Sequence, residues 1–102
     1  MAKSITPSSV EFQIGETDSF QKQLKKNPDF ERIYRRIRSY VYPLLRINPF
    51  FGPNIKRLKG TLSDYYRYRI GDYRLFYTID QEHVIVFVVA LRTRQDAYKS
   101  DL

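Results

Sequence analysis

The segment from Tyr65 to Ile79 constrains the fold more than any other, because two runs of alternating side chains meet at a two-residue turn, Gly71-Asp72. Glycine supplies the positive φ that such a turn needs, so the spacing predicts a hairpin of strands Tyr65–Ile70 and Tyr73–Ile79. With Ile70 paired to Tyr73, Arg69 stands directly opposite Arg74. Side chains alternate between the faces of a strand. Tyr66, Tyr68 and Ile70 therefore share one face with Tyr73, Leu75, Tyr77 and Ile79, and this face reads as the core side. Arg67, Arg69 and Arg74 share the other.

Like charges directly opposite on neighbouring strands destabilise a sheet by a few tenths to about 1 kcal/mol. Three guanidiniums gathered this way, with no acidic residue alternating among them, suggest that an anion completes the arrangement. Arginine matches phosphate through its rigid fork of donors, where lysine offers a point charge. The alternative is that these side chains splay into water or pair with Asp64, Asp72 or Asp96.

The rest of the chain supplies the elements around the hairpin. Met1 to Ser9 reads as a loose leader. Val10 to Ile14 alternates apolar and polar and reads as a strand ended by Gly15. Thr17 or Asp18 can cap a short helix through Lys26, which Asn27-Pro28-Asp29 breaks. Phe30, Ile33, Tyr34, Ile37, Val41, Leu44 and Leu45 then form one apolar stripe of a longer helix, with Arg32, Arg35, Arg36 and Arg38 off it. These arginines read first as a solvated face, and alternatively as a phosphate-tracking surface or a protein contact. Pro43 should kink or end that helix near Tyr42. Asn48 to Asn54 reads as a loop and Ile55 to Lys59 as a short strand. Val84 to Leu91 is apolar on both faces, as expected of a fully covered central strand. The order β-α-α-β-β-β-β predicts an α+β domain, two helices packed on a mostly antiparallel twisted sheet.

The last strand runs into Arg92-Thr93-Arg94-Gln95-Asp96-Ala97-Tyr98, and so delivers Arg92 to the end of the sheet that holds Arg69 and Arg74. A three-residue loop (Gln81 to His83) puts Arg92 on their face; a four-residue loop (Asp80 to His83) puts it on the far one unless a bulge intervenes. His83, the single histidine, reads as a turn residue.

Composition bounds the function. The chain has 102 residues, which suits one domain over 1–102. There are no cysteines, so disulfides, thiolate chemistry and zinc–cysteine sites are excluded. The sequence has no metal-ligand spacing, phosphate-binding glycine loop or nucleophile motif, and no cofactor is expected. Met1 to Gly15 has no apolar segment of signal-peptide length and no run of 18 apolar residues occurs, so a soluble cytoplasmic protein is expected. The net charge of +7 attracts polyanions. Nucleic acid is the expected partner, although an acidic protein or an anionic membrane would feel the same field. Chemistry built on arginine, lysine and tyrosine suits RNA, whose own 2′-hydroxyl can attack the adjacent phosphate.

Leu58-Lys59-Gly60, Tyr66-Arg67-Tyr68-Arg69, Asp72-Tyr73-Arg74-Leu75-Phe76-Tyr77 and Arg92 to Tyr98 together resemble the RelE/ParE superfamily of bacterial toxins. The resemblance implies the toxin of a type II toxin–antitoxin system. For a RelE-like member it implies a metal-independent endoribonuclease that cleaves messenger RNA in the ribosomal A site, with a cognate antitoxin as partner. It makes Arg67 and Arg69 the basic pair after the leading tyrosine, where RelE-like toxins often carry lysine. Arg74 is expected to bind the scissile phosphate, Arg92 is the candidate general acid, and Tyr98 the candidate general base. Lys56, Arg57, Lys59 and Arg94 are expected to bind RNA. A free tyrosine has a pKa near 10, so Tyr98 needs neighbouring cations to serve as a base. A ParE-like DNA gyrase inhibitor without nuclease activity, or a member that only binds its antitoxin, are the competing expectations. The long second helix, Pro43 and the loop after it lie outside what the resemblance explains.

Overall fold

The computed structural model describes residues 11–96; the expected leader Met1 to Ser9, the first residue of the expected strand (Val10), and Tyr98 lie outside the described residues. The elements run β1 (Gln13–Glu16), α1 (Asp18–Lys26), a 3₁₀ turn (Pro28–Phe30), α2 (Glu31–Arg36), a π-helical turn (Ile37–Val41), α3 (Tyr42–Ile47), β2 (Ile55–Arg57), β3 (Tyr65–Ile70), β4 (Tyr73–Asp80) and β5 (Ile85–Thr93). The strands form one five-stranded sheet in the order β1-β5-β4-β3-β2. β1 is parallel to β5 and every other pair is antiparallel. The α+β architecture expected from the sequence is therefore the one observed.

The hairpin pairs as its alternation requires. Ile70 faces Tyr73 and Arg69 faces Arg74 across a turn in which Gly71 takes a φ of 58°. Tyr68, Ile70, Leu75 and Tyr77 are buried against Phe20 of α1 and Ile33, Ile37, Val41 and Leu45 of the second helical rod. Thr17 caps α1, its hydroxyl accepting from the Phe20 amide at 3.2 Å.

Of the two outcomes expected at Pro43, the helix does not end there; it is distorted just before the proline by the π-turn Ile37–Val41. The π-turn before it lets the Tyr42 amide donate to the Ile37 carbonyl five residues back, and leaves Pro43 in the first turn of α3. A proline needs no amide partner there. The extra residue of the turn sets everything after it back by about 100°, one residue's rotation in a helix of 3.6 residues per turn. Leu44, expected in the stripe, therefore turns outward and is 42% exposed, while Tyr42 and Leu45 turn in.

Two strand expectations also change. β1 starts later and passes through Gly15, because Phe87 of β5 lies across it: a Cβ on Gly15 would stand 3.2 Å from that ring. Phe87 itself is exposed, so β5 is internal to the sheet yet covered by helices on one face only. Beyond the end of β1, the edge of β5 is occupied by a side chain. The Gln23 amide receives the Leu91 N–H at 2.8 Å and donates back to the Leu91 carbonyl, so one residue satisfies both backbone groups.

Candidate functional site

The register of β5 decides where Arg92 lies. Asp80 pairs with Ile85, so four residues, Gln81 to Val84, close the β4–β5 connection. From Tyr77↔Val88 the pairing steps to Phe76↔Ala90, leaving Val89 unpaired as a bulge. The bulge restores the parity: Val86, Val88 and Leu91 all face the core, and Arg92 pairs with Arg74. Val84 takes a φ of 58°, which is costly for a β-branched residue. His83 sits in that turn, 2.9 Å from the Asp80 carboxylate.

Arg69, Arg74 and Arg92 thus form one row across β3, β4 and β5, the three strands hydrogen-bonded side by side. Arg67 and Phe76 form the next row, and Lys56 of β2 extends it. The only ion pair between two described residues is Asp80–His83, so Arg67, Arg69 and Arg74 have no carboxylate partner among them. Asp64, Asp72 and Asp96 neutralise none of the three.

Arg74 is the centre of this face. It is 6% exposed, its Nη1 donates to the carbonyls of Gly71 (3.3 Å) and Tyr73 (3.1 Å), and its buried Nε has no partner. A buried donor left unsatisfied costs about 1–3 kcal/mol, a cost that a bound anion would remove. Arg67 donates to the Asn54 carbonyl at 3.2 Å, and the Arg69 amide donates to the same oxygen at 2.9 Å.

Two hollows flank Arg74. One, about 240 Å³, is lined by Lys56, Lys59, Arg67 and Arg74 over a floor of Leu58, Leu62 and Phe76. The other, about 700 Å³, lies at the hairpin end and takes Arg69, Arg74 and Arg94 from the sheet with Arg36 and Tyr40 from the second helical rod. The Arg94 amide donates to the Asp72 carbonyl, tying the end of β5 to the hairpin turn. Lys56, Lys59, Arg67, Arg69, Arg74, Arg92 and Arg94 are brought together. Arg57 is not. It lies with Tyr66 on the helix side of the sheet, its guanidinium 5.7 Å from that ring and its Nε donating to the Ser63 carbonyl. Tyr40, Asn54 and Leu62 are not site candidates in the sequence, and Leu58 and Phe76 enter there only as parts of the family motifs. Only the spacing of Arg36 and Tyr40, one helical turn apart, could have pointed to their shared hollow.

A second polar cluster is structural. Glu16 accepts from the hydroxyls of Tyr34 and Tyr42, each at 2.8 Å. Burial, and then the bond to Glu16, push both phenols above their usual range. The Tyr77 hydroxyl, also raised by burial, donates to the Pro49 carbonyl at 2.7 Å and pins the Asn48–Asn54 loop to the sheet.

Two helices packed on a five-stranded mixed sheet are the architecture of the small toxins that operate in toxin–antitoxin pairs. The chain belongs to the ParE toxin family of type II toxin–antitoxin systems, whose family model matches residues 16–98. Among solved structures it is similar to the toxin–antitoxin complex RelBE2 from Mycobacterium tuberculosis, at 28% identity and a TM-score of 0.69, over 83% of this chain and 93% of that one. It is also similar to the archaeal RelE–RelB complex from Pyrococcus horikoshii, at 26% identity and a TM-score of 0.61, over 82% and 96%. YafQ from E. coli shares the fold at 12% identity and a TM-score of 0.64, over 86% and 99%. No curated protein matches the chain.

Proposed function

We propose that this toxin is an endoribonuclease that cuts messenger RNA on the ribosome by in-line attack of a 2′-hydroxyl on its own phosphate. The observation that carries the reading is the row Arg69–Arg74–Arg92, with Arg74 buried at its middle and a donor to spare. In the attack the 2′ oxygen bonds to phosphorus, the bond to the 5′ oxygen breaks, and the products are a 2′,3′-cyclic phosphate and a 5′-hydroxyl. Arg74 is assigned to the phosphate, where extra negative charge develops and preorganised donors contribute most. A guanidinium stays protonated across the neutral range, so Arg92 is assigned the hydrogen bond to the leaving 5′ oxygen, which takes the proton of the 5′-hydroxyl from solvent water. Tyr98 is assigned the proton of the 2′-hydroxyl. Arg67, Lys56 and Lys59 hold the flanking backbone. Arg69 adds charge beside Arg74.

The proposed partner is a cognate antitoxin, as in the two relatives solved as toxin–antitoxin complexes at 26–28% identity. A surface suited to it is the apolar stripe of α3 and the following loop, where Leu44, Ile47 and Phe51 are 42%, 62% and 79% exposed.

The test is cleavage of messenger RNA in a translating extract by the parent, Arg74→Ala and Tyr98→Phe. Removing one donor to the developing charge lowers the rate by about 10²–10³, the fall expected of Arg74→Ala, and loss of a general base lowers it by about 10²–10⁴, the fall expected of Tyr98→Phe. The family model's ParE description favours a second reading, inhibition of DNA gyrase without cleavage. Intact message together with blocked supercoiling by gyrase would establish that one instead.

A further inference from the structure

The hollow at the hairpin end meets the phosphate site at Arg69 and Arg74, and Arg74 lines both flanking hollows. We infer that it is a second nucleotide subsite, in which Tyr40 stacks on the base next to the cut while Arg36 and Arg94 hold that nucleotide's phosphate. Its place in the substrate rests on the ribonuclease reading; its preference for a nucleotide rests on its own chemistry.

Charge is the first argument. Among the described residues, four guanidiniums, from Arg36, Arg69, Arg74 and Arg94, share the hollow with a single carboxylate, that of Asp72. The next hollow along the same helix differs: there Arg32, Arg35 and Arg36 stand beside Asp29 and Glu31, an excess of one positive charge against three in the first. Tyr40 is the second argument. It is 61% exposed, and it borders the arginines rather than the core. An exposed aromatic ring beside a basic groove is the equipment of single-strand nucleic-acid sites, because every base has a face to stack. The third argument is placement. Arg36 and Tyr40 lie one turn apart and so on one side of the helix, and Tyr40 belongs to the π-turn Ile37–Val41. Such turns occur frequently at functional sites. A strand crossing Arg74 from the Lys56–Arg67 hollow therefore meets a second phosphate clamp and a stacking surface.

Affinity for a hexanucleotide carrying 2′-O-methyl groups throughout, which cannot be cut, tests the subsite by fluorescence anisotropy. Tyr40→Ala and Arg36→Ala should each weaken binding about tenfold, equivalent to about 1.4 kcal/mol. Tyr40→Phe keeps the ring and should bind like the parent, as should Arg32→Ala. The inference is overturned if the parent does not bind the hexanucleotide, or if Tyr40→Ala loses no more affinity than Arg32→Ala. Equal binding of a ten-residue polyglutamate, lost in the same way with Tyr40→Ala, would overturn the nucleotide assignment in favour of an acidic protein segment. Failure of the parent to cut message in the extract sinks the ribonuclease reading alone, since the uncut oligonucleotide still decides the subsite.

Discussion

Arg74 carries opposing demands. It stands between Arg69 and Arg92 in the sheet, is 6% exposed, and leaves Nε without a partner. Each like-charge neighbour costs a few tenths to about 1 kcal/mol, and the unsatisfied donor adds to that. Arg74→Met keeps the length of the side chain without its charge and should melt above the parent in calorimetry. A gain of about 1 kcal/mol moves the midpoint of a domain this size by about 4–8 °C. Inorganic sulfate should raise the parent's midpoint and leave that of Arg74→Met where it is; a variant that melts lower than the parent would show that the row is not strained. The tyrosines set a different dependence. Tyr34, Tyr42 and Tyr77 have hydroxyls raised by burial. A raised folded value means that their contribution is complete below the unfolded value near 10 and is lost as pH rises beyond it. Tyr42→Phe should lower stability at neutral pH by about 1.5–3 kcal/mol, the range for a hydrogen bond to a charged group, and flatten the decline above pH 10. Chemical denaturation at pH 7 and at pH 10.5 separates the two effects.

At the scale of elements, two single-residue irregularities place the site. The bulge at Val89 returns Arg92 to the face of Arg74, and the π-turn at Ile37–Val41 carries Tyr40 and turns Leu44 outward. Gln23 then holds β5 just beyond the bulge. Replacing it with leucine would strand the Leu91 N–H and carbonyl at a cost of about 1–3 kcal/mol, and the Leu91 amide should exchange with solvent faster in the variant while the Tyr77 amide changes less. The hairpin was legible in the sequence because its alternation, its turn glycine and its apolar face all depend on neighbours within fifteen residues. The covered face of β4, with Leu75 and Tyr77, followed from that alternation alone. The bulge was not legible, since a β5 run apolar on both faces looks the same with or without a one-residue slip. Nor was the π-turn, because Pro43 predicts that a helix must yield but not whether it yields by ending or by widening one turn. The cleft that unites Arg36 with Arg94 joins residues 58 positions apart, and no local pattern brings them together. For the outward-facing Ile47 and Phe51, glutamate at both positions should leave the melting of the isolated toxin unchanged and weaken its neutralisation by the antitoxin, read as growth rescue on co-expression.

Over the whole molecule, the net charge of +7 sets how salt acts. For single-stranded nucleic acid the logarithm of affinity falls with the logarithm of salt by about 0.7 per phosphate contacted, so three contacts predict a slope of about −2, and Arg74→Ala should make it shallower. The sheet puts its most remote partners together at its far edge: β1, which begins at Gln13, has β5, which ends at Thr93, as its one strand neighbour in the sheet. Chain order and spatial order are therefore at odds during synthesis. Until β5 has been made, β1 has no neighbour to pair with, and the arginine row still lacks Arg92. At about 5–20 residues per second, the stretch from β1 to β5 takes several seconds to make, and through it the sheet lacks its β5 strand and Arg92. A nascent chain stopped at Asp80 should accordingly be digested readily by protease, whereas the finished chain resists. Until β5 is made, the arginine row proposed to hold phosphate is incomplete.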